Sequence, residues 1–305
     1  MKTSQHSIQA LLPSVTFGVA LILSGWNSTA TAEIVANFEA GNTNTAVDGY
    51  TGMAGNGWTG GWALRNNYGS GSMGSVGVVD DGTLWDGNRL QLTPSNNATG
   101  TGFGVSREYT SYGDVNINQP ITISFQVSFD DLGDFLETPS NFIYIGQQGT
   151  TSLNRVAGGT AWYLYAFGGD DPTLHPAGAG SSFNTARQMQ WNVGAGDGST
   201  LLPTDIYIEE DVLYTFTLSI NPAEFTYTLL LSNGTETFES GTLNFFGGDQ
   251  ATGTTLVFGQ RYAVEEGATF SVGNIAIIPE PSAFGMLLLG TSAMSFLCCR
   301  KRRTR

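Results

Sequence analysis

The densest run of acid in the chain is Ile208-Glu209-Glu210-Asp211-Val212. Two carboxylates facing one cleft are what glycoside hydrolysis requires, one as acid and the other as base or nucleophile. Consecutive side chains of a strand alternate faces, so at most Glu209 and Asp211 of this run share one. A third aligned carboxylate is missing. The run therefore reads as a solvated turn ahead of a strand that starts at Val212. Nucleophilic catalysis would need a histidine as base. Beyond residue 32 that can only be His175, in a Gly/Pro/Ala loop near Asp171, Ser181 and Ser182. Such a loop does not hold a triad, and His175 reads as a surface residue. No catalytic residue is assigned, and the expectation is a protein that is not an enzyme.

Two binding chemistries are left. Asp130, Asp131 and Asp134 in Asp-Asp-Leu-Gly-Asp offer closely spaced hard oxygens of the kind calcium takes, as do Asp80-Asp81 and Asp170-Asp171. Aspartate beside glycine at a strand end is equally ordinary turn chemistry, so calcium is the only cofactor considered and none is required. A sugar site would set an aromatic ring under a pyranose face with amides around it. Thr160–Phe167 puts Tyr163 and Tyr165 on one face, and the stretch from 188 to 193 puts Gln190 and Asn192 on one face. If these four share an open concave sheet face, they form a glycan site; cross-strand aromatic packing accounts for the rings equally well. Trp58 and Trp62, in Gly57-Trp58-Thr59-Gly60-Gly61-Trp62, read as plugs under a loop.

The elements that must position these residues are strands. Forty-one glycines and 11% aromatic residues describe a turn-rich chain. In 121–130, Ile121, Ile123, Phe125, Val127 and Phe129 alternate with polar residues, the period of a half-buried strand. The stretch 212–220 repeats the pattern through Tyr214, Phe216, Leu218 and Ile220. Asn221-Pro222-Ala223-Glu224 then turns the chain into 225–231, and Ser232-Asn233-Gly234-Thr235 turns it again. Further strands are expected at 34–38, 76–79, 89–92, 102–107, 141–147, 160–167, 188–193, 255–260 and 268–277. The apolar parity changes at Gly273-Asn274, which predicts a bulge. About twelve to fourteen strands exceed an immunoglobulin-type domain. Two large antiparallel sheets packed face to face accommodate them, with the segment 34–38 beside 268–277.

The ends of the chain differ from this body. Residues 1–32 read as a signal peptide, with Lys2, an apolar run over 10–23, and Ala30-Thr31-Ala32 as the cleavage site before Glu33. Ala283 to Cys299 is free of charge, and as a helix it would run roughly 26 Å, at the short end of a membrane span. Arg300, Lys301, Arg302, Arg303 and Arg305 follow and belong on the cytoplasmic side. Between these ends the body, residues 33–278, holds all but one of the chain's 26 acidic residues against six arginines. Such a surface repels phosphate backbones, which argues against nucleic acid as a partner. Both cysteines lie in the C-terminal apolar segment, so the body has neither a disulfide nor a Cys/His zinc site.

Pro279-Glu280-Pro281, then an apolar segment, then a basic tail resembles the PEP-CTERM sorting signal of exported bacterial proteins. The resemblance covers about 28 residues. It implies translocation by the Sec machinery and a single-pass inner-membrane precursor with a cytoplasmic C-terminus. A membrane-embedded exosortase would then process it, and the body would pass to the cell surface or beyond. Pro279 and Pro281 are expected to leave the motif as an extended, strand-free segment after a domain that ends at Ile278. The body resembles the concanavalin A-like, laminin-G-like jelly roll through Asn37-Phe38-Glu39, the Trp58–Trp62 stretch, Gly87-Asn88-Arg89-Leu90-Gln91-Leu92 and Phe270-Ser271-Val272-Gly273-Asn274-Ile275. The expected function is that of an exported surface or matrix protein whose body is a non-enzymatic interaction or structural module. A carbohydrate-binding lectin that takes extracellular polysaccharide, and a glycoside hydrolase, are the alternatives.

Overall fold

The computed structural model describes residues 33–36, 38, 45–46, 56–66, 74–80, 84–85, 87–94, 101–135, 141–150, 152–153, 156, 158–169, 189–196, 201–262 and 267–280. All belong to one compact unit, Thr31–Arg305. Seventeen strands form among them. In chain order the first eight are β1 (Ile34–Ala36), β2 (Thr45–Ala46), β3 (Ala63–Asn66), β4 (Gly74–Asp80), β5 (Asn88–Pro94), β6 (Thr101–Glu108), β7 (Ile121–Asp131) and β8 (Phe142–Gln148). Next come β9 (Thr160–Phe167), β10 (Gln190–Gly194), β11 (Leu201–Tyr207), β12 (Leu213–Asn221) and β13 (Thr226–Ser232). The last four are β14 (Thr237–Glu239), β15 (Leu243–Asn244), β16 (Thr255–Tyr262) and β17 (Thr269–Pro279). The only helical pieces described are two single turns, Gly133–Phe135 and Gly248–Gln250.

The strands form two antiparallel sheets. A ten-stranded sheet runs β14-β13-β12-β7-β17-β5-β4-β2, with β1 also pairing β17 and β15 pairing β13. A seven-stranded sheet runs β11-β10-β9-β8-β16-β6-β3. The expected meander is present as β7, β12 and β13, in the register Phe125↔Phe216↔Leu231. Gly234 takes a φ of 89° in the Asn-Gly turn, and the Asn233 carboxamide oxygen accepts from the N–H groups of Thr235 and Glu236. β1 pairs β17 with Ile34 opposite Ile277, so the segment at 34 lies beside the strand at 269–279, as expected. The described elements thus form the expected two-sheet antiparallel fold.

Between the sheets the alternating apolar residues of β7 and β12 meet tryptophans from the smaller sheet. Phe125 stacks on Phe216 at 4.9 Å and on Trp162 at 6.2 Å, and Phe258 meets its edge at 5.4 Å. Trp191 closes against Phe216 at 4.9 Å. Burying one phenylalanine contributes about 1.5–3 kcal/mol, so this aromatic layer is a major part of what holds the sheets together. Trp58 and Trp62 are buried beside Phe38, and the buried Arg107 guanidinium lies 4.7 Å and 5.7 Å from their ring centroids. They act as plugs, as their glycine-rich setting suggested.

β17 occupies the middle of the larger sheet, between β7 and β5. Its ladder to β7 shifts register between Gly273 and Ala276, and Asn274 takes a φ of 49° there, which is the predicted bulge. The Trp85 ring lies on Gly273 so closely that a Cβ there would come within 2.8 Å of it. Around this ring the outer face of the sheet carries a buried polar cluster. The Trp85 indole N–H donates to Ser128 Oγ at 3.1 Å, and Arg89 Nε donates to Ser271 Oγ at 2.9 Å. Asp130 accepts from Gln91 Nε2 at 2.9 Å and from Ser271 Oγ, and its other oxygen lies 3.6 Å from Arg89 Nη2.

The expectation of a strand-free segment from Pro279 is corrected. The strand runs through this residue, which pairs with Ile121, and the Glu280 N–H donates to the Pro120 carbonyl at 3.1 Å. Proline is tolerated there because β17 has by then lost its other neighbours: β5 reaches only Val272, and β1 only Ile277. Thr122 Oγ1 donates to Glu280 Oε1 at 3.4 Å, so the motif begins on the sheet and not beyond it. Pro281, the apolar segment 283–299, the tail 300–305, and Ala30 and Ala32, where cleavage was expected, lie outside the described residues. Glu33 is exposed, immediately before β1. No helix among the described residues is long and apolar enough to cross a membrane.

Candidate functional site

The glycan site expected on an open face at Tyr163, Tyr165, Gln190 and Asn192 is corrected: all four are buried. Tyr163 and Tyr165 do share the face of β9 opposite the main core, and Asn192 sits across from Tyr165 in the ladder. That face carries a second apolar cluster, in which Tyr144, Leu153, Leu201 and Val257 join the two tyrosines. Glycines make room for the rings to lie down. A Cβ on Gly194 would come 2.2 Å from the Tyr163 ring, and one on Gly146 would come 2.6 Å from the Tyr144 hydroxyl. Gln190 is occupied as well, its Oε1 accepting from the Asp205 N–H at 2.6 Å.

The aspartates considered for calcium do not converge. The Asp130 carboxylate is taken by Gln91, Ser271 and Arg89, whereas Asp131 Oδ1 accepts from the Gly133 N–H at 2.9 Å in a local turn. The Asp134 side chain, Asp81, Asp170, Asp171 and His175 lie outside the described residues. Among the described residues no three acidic, histidine or cysteine side chains are grouped to hold a metal.

The acidic run does form the expected turn. β11 stops at Tyr207 and β12 starts at Leu213, and Glu209, Glu210 and Asp211 between them are exposed. Asp211 takes a φ of 58°, a left-handed conformation that aspartate tolerates better than most residues. Tyr214 pins this turn from below. Its hydroxyl donates to the Tyr207 carbonyl at 2.8 Å and accepts from the Glu209 N–H at 2.7 Å. Burial pushes that hydroxyl's pKa far above its ordinary value; the Glu209 N–H bond pulls the other way, and the nearby Glu209 carboxylate adds to the rise. Glu210 Oε1 accepts from the Leu132 N–H at 2.8 Å and ties the turn to the end of β7.

What the acidic run could not show is its neighbour. Glu209 and Val212 line a cleft of about 380 Å³ together with Asn233, Thr235 and Glu236 from the turn between β13 and β14. That turn is held by its own side chains. Ser232 Oγ accepts from the Gly234 N–H at 3.1 Å, and Asn233 Nδ2 donates to Glu236 Oε2 at 3.3 Å. Two carboxylates and a carboxamide thus share one groove on two pinned turns. Nearby on the chain, Tyr207 is 52% exposed at the end of β11, a large ring left in solvent. The second carboxylate that lines the cleft is Glu236, and Asp211 is not among its lining residues. Donors and acceptors in this arrangement suit the hydroxyls of a sugar, and paired carboxylates are the groups that cleave glycosidic bonds.

No protein family model matches the chain, and no curated protein matches it. Solved structures match it through fold. The catalytic domain of a glycoside hydrolase family 131 protein from Coprinopsis cinerea superposes with a TM-score of 0.50 at 14% identity, over 81% of this chain and 93% of that one. A sialidase matches with a TM-score of 0.47 at 12% identity; 82% of this chain is covered, but it spans only 18% of the sialidase. The lectin UEA-II, solved in complex with galactose, matches with a TM-score of 0.40 at 10% identity, over 71% of this chain and 92% of the lectin. The expectation of a non-enzymatic interaction or structural module is corrected in favour of its alternatives by the first of these: over most of both chains the fold is shared with a glycoside hydrolase catalytic domain.

Proposed function

We propose that the body is a carbohydrate-binding sandwich of the concanavalin A-like jelly-roll type, and that the cleft of Glu209, Asn233, Thr235 and Glu236 is its sugar groove. The observation that carries this reading is that two acidic side chains 27 residues apart along the chain, Glu209 and Glu236, line one open cleft together with the Asn233 carboxamide. Carboxylates and amides accept from and donate to sugar hydroxyls, and Tyr207 supplies an exposed ring of the kind that stacks on a pyranose. An extracellular polysaccharide is the partner that fits an exported protein. Glycan-array binding by the purified protein tests it. Wild type is expected to retain a defined set of glycans, and Asn233→Ala with Glu236→Gln is expected to lose them. Binding that survives both substitutions would place the sugar elsewhere.

Hydrolysis is the second reading, favoured by the presence of Glu209 and Glu236 in one cleft. Release of reducing ends from a bound polysaccharide, lost in both Glu209→Gln and Glu236→Gln while binding is kept, would establish it. For targeting, we propose export through the Sec machinery, with cleavage at Ala30-Thr31-Ala32, and a PEP sorting signal read by an exosortase at Pro279, Glu280 and Pro281. The apolar segment 283–299 and the basic tail would hold the precursor in the inner membrane until processing. Mass spectrometry of surface-exposed protein tests this: peptides running through Phe284 to Leu297 in the mature form would refute it.

A further inference from the structure

The sandwich has two ends, and the pairing of β7 with β12 tells them apart. Ile220 pairs Ile121 at one end; Leu213 pairs Ser128 toward the other, next to the cleft of Glu209 and Val212. Seven strand steps at about 3.3 Å each put these pairs roughly 23 Å apart. β17 leaves the sheet at the Ile121 end, where Pro279 pairs Ile121 and the Glu280 N–H donates to the Pro120 carbonyl. Only Pro281 and Ser282 then separate Glu280 from the charge-free segment that starts at Ala283. Fully extended, these residue steps reach at most roughly 11 Å. A bilayer's headgroup layer is about 5–8 Å deep on each side of its core. As a helix, 283–299 would run roughly 26 Å against a core of about 30 Å, so spanning it draws Glu280 toward the lipid. A spanning segment leaves this end of the sandwich little room to stand clear of the headgroups.

The side chains at this end suit such a position. Four large apolar side chains are exposed among the described residues, and Tyr112 and Ile278 are two of them. Ile278 lies directly before Pro279 and pairs Thr122. Tyr112 closes a tight turn with Val115, and Gly57 lies between it and Ile34: a Cβ on Gly57 would come 2.9 Å from Tyr112 and 2.5 Å from Ile34. Ile34 in turn pairs Ile277, which brings both exposed side chains to one end. Tyrosine is favoured where its ring can sit at headgroup depth. Exposed charges here are acidic: Glu33 before Ile34, Asp114 in the Tyr112 turn, and Glu224 in the turn after β12.

We propose that this end is a membrane-docking surface, with Tyr112 and Ile278 resting in a headgroup layer of zwitterionic lipid. It rests on segment 283–299 holding the chain in the bilayer, as proposed for its targeting. The patch is small, but a two-residue link keeps it at the surface at high effective concentration. Glu33, Asp114 and Glu224 disfavour an anionic leaflet, whose surface potential is negative. Docked in this way, the body points the acidic cleft away from the lipid.

The full chain, carrying Cys298→Ser and Cys299→Ser, is reconstituted into phosphatidylcholine vesicles with nitroxide on a fraction of the headgroups. A fluorescent label is attached through Tyr112→Cys, Ile278→Cys or, at the far end, Tyr207→Cys, all exposed positions. Flotation with the vesicles that resists carbonate extraction reports an inserted segment. The labels of Tyr112→Cys and Ile278→Cys are expected to shift to the blue and be quenched by the nitroxide, and that of Tyr207→Cys to stay unquenched. Phosphatidylglycerol in place of part of the phosphatidylcholine is expected to reduce quenching in Tyr112→Cys at low salt, and added salt to restore it. Vesicles that hold the chain while Tyr112→Cys and Ile278→Cys stay unquenched, or Tyr207→Cys is quenched as strongly, would overturn the docking and leave the anchor standing. Stronger quenching in Tyr112→Cys on phosphatidylglycerol would overturn it too. A chain that does not float would overturn both the anchor and the docking.

Discussion

Replacing Asp130 by alanine removes the acceptor on which the outer-face cluster of the larger sheet converges. Arg89 and Asp130 are 6% and 20% exposed, so the pair is largely desolvated, and Arg89 Nη2 faces the carboxylate at 3.6 Å. Removing one partner of a buried pair typically costs about 3–5 kcal/mol, because the remaining charge keeps its desolvation penalty. Partial exposure of Asp130 and the long separation place this case at the low end, about 3 kcal/mol. Loss of the acceptor for Gln91 and Ser271 belongs to the same figure and is not added to it. For a domain of this size about 3 kcal/mol corresponds to a fall of roughly 6–12 °C in Tm. Differential scanning calorimetry of Asp130→Ala against wild type measures it. The double variant Arg89→Met/Asp130→Leu should recover part of the loss, since an apolar pair leaves no charge behind. A shift within about 1 °C for Asp130→Ala, or a double variant worse than the sum of its singles, would refute the idea that Asp130 compensates the arginine.

Three further outcomes are expected. Tyr109, Tyr214 and Tyr227 all have hydroxyl pKa values raised far above the ordinary tyrosine range by burial, so in the folded state they stay neutral where the unfolded chain ionises. The stability tied to them is complete below about pH 10 and declines above it by up to about 1.4 kcal/mol per pH unit for each tyrosine; urea melts at pH 8 and above pH 10 check this. Gly194→Ala drives a methyl into the Tyr163 ring and should cost about 1–3 kcal/mol, whereas Gly60→Ala, with open space around it, should stay within about 0.5 kcal/mol. Chelation by EDTA should leave Tm unchanged, because the Asp130 carboxylate is already engaged by protein donors; a drop of several degrees would require a calcium site after all.

Strand content was legible wherever one face of a strand is wet. β7, β12 and β13 alternate residue by residue, and the Asn233-Gly234 turn carries its own signal. β11 escaped notice because Pro203 and the left-handed Asp205 interrupt its alternation; an edge strand tolerates both. The glycan face failed for a different reason. Period 2 tells which residues of β9 share a face, but not whether that face is covered, and Tyr163 and Tyr165 lie under a second apolar layer. The acidic cleft was half visible: Glu209 stood out in its run, and Glu236 did not. Bringing them together depends on β11 lying near β14, a tertiary relation that no local pattern encodes. At Pro279 the local rule was sound and lost to context, because the neighbouring strands end before a missing donor could matter.

The central place of β17 governs when this protein can fold. The larger sheet consists of β14, β13, β12 and β7 on one side and β5, β4 and β2 on the other, and β17 is the strand that joins them. It is also the last strand among the described residues. During synthesis both half-sheets therefore wait with open edges until residues 269–279 emerge. A chain released before that point keeps two unmatched edges, each a template for pairing with another chain. Completion of the sheet thus marks the point at which synthesis has passed Pro279.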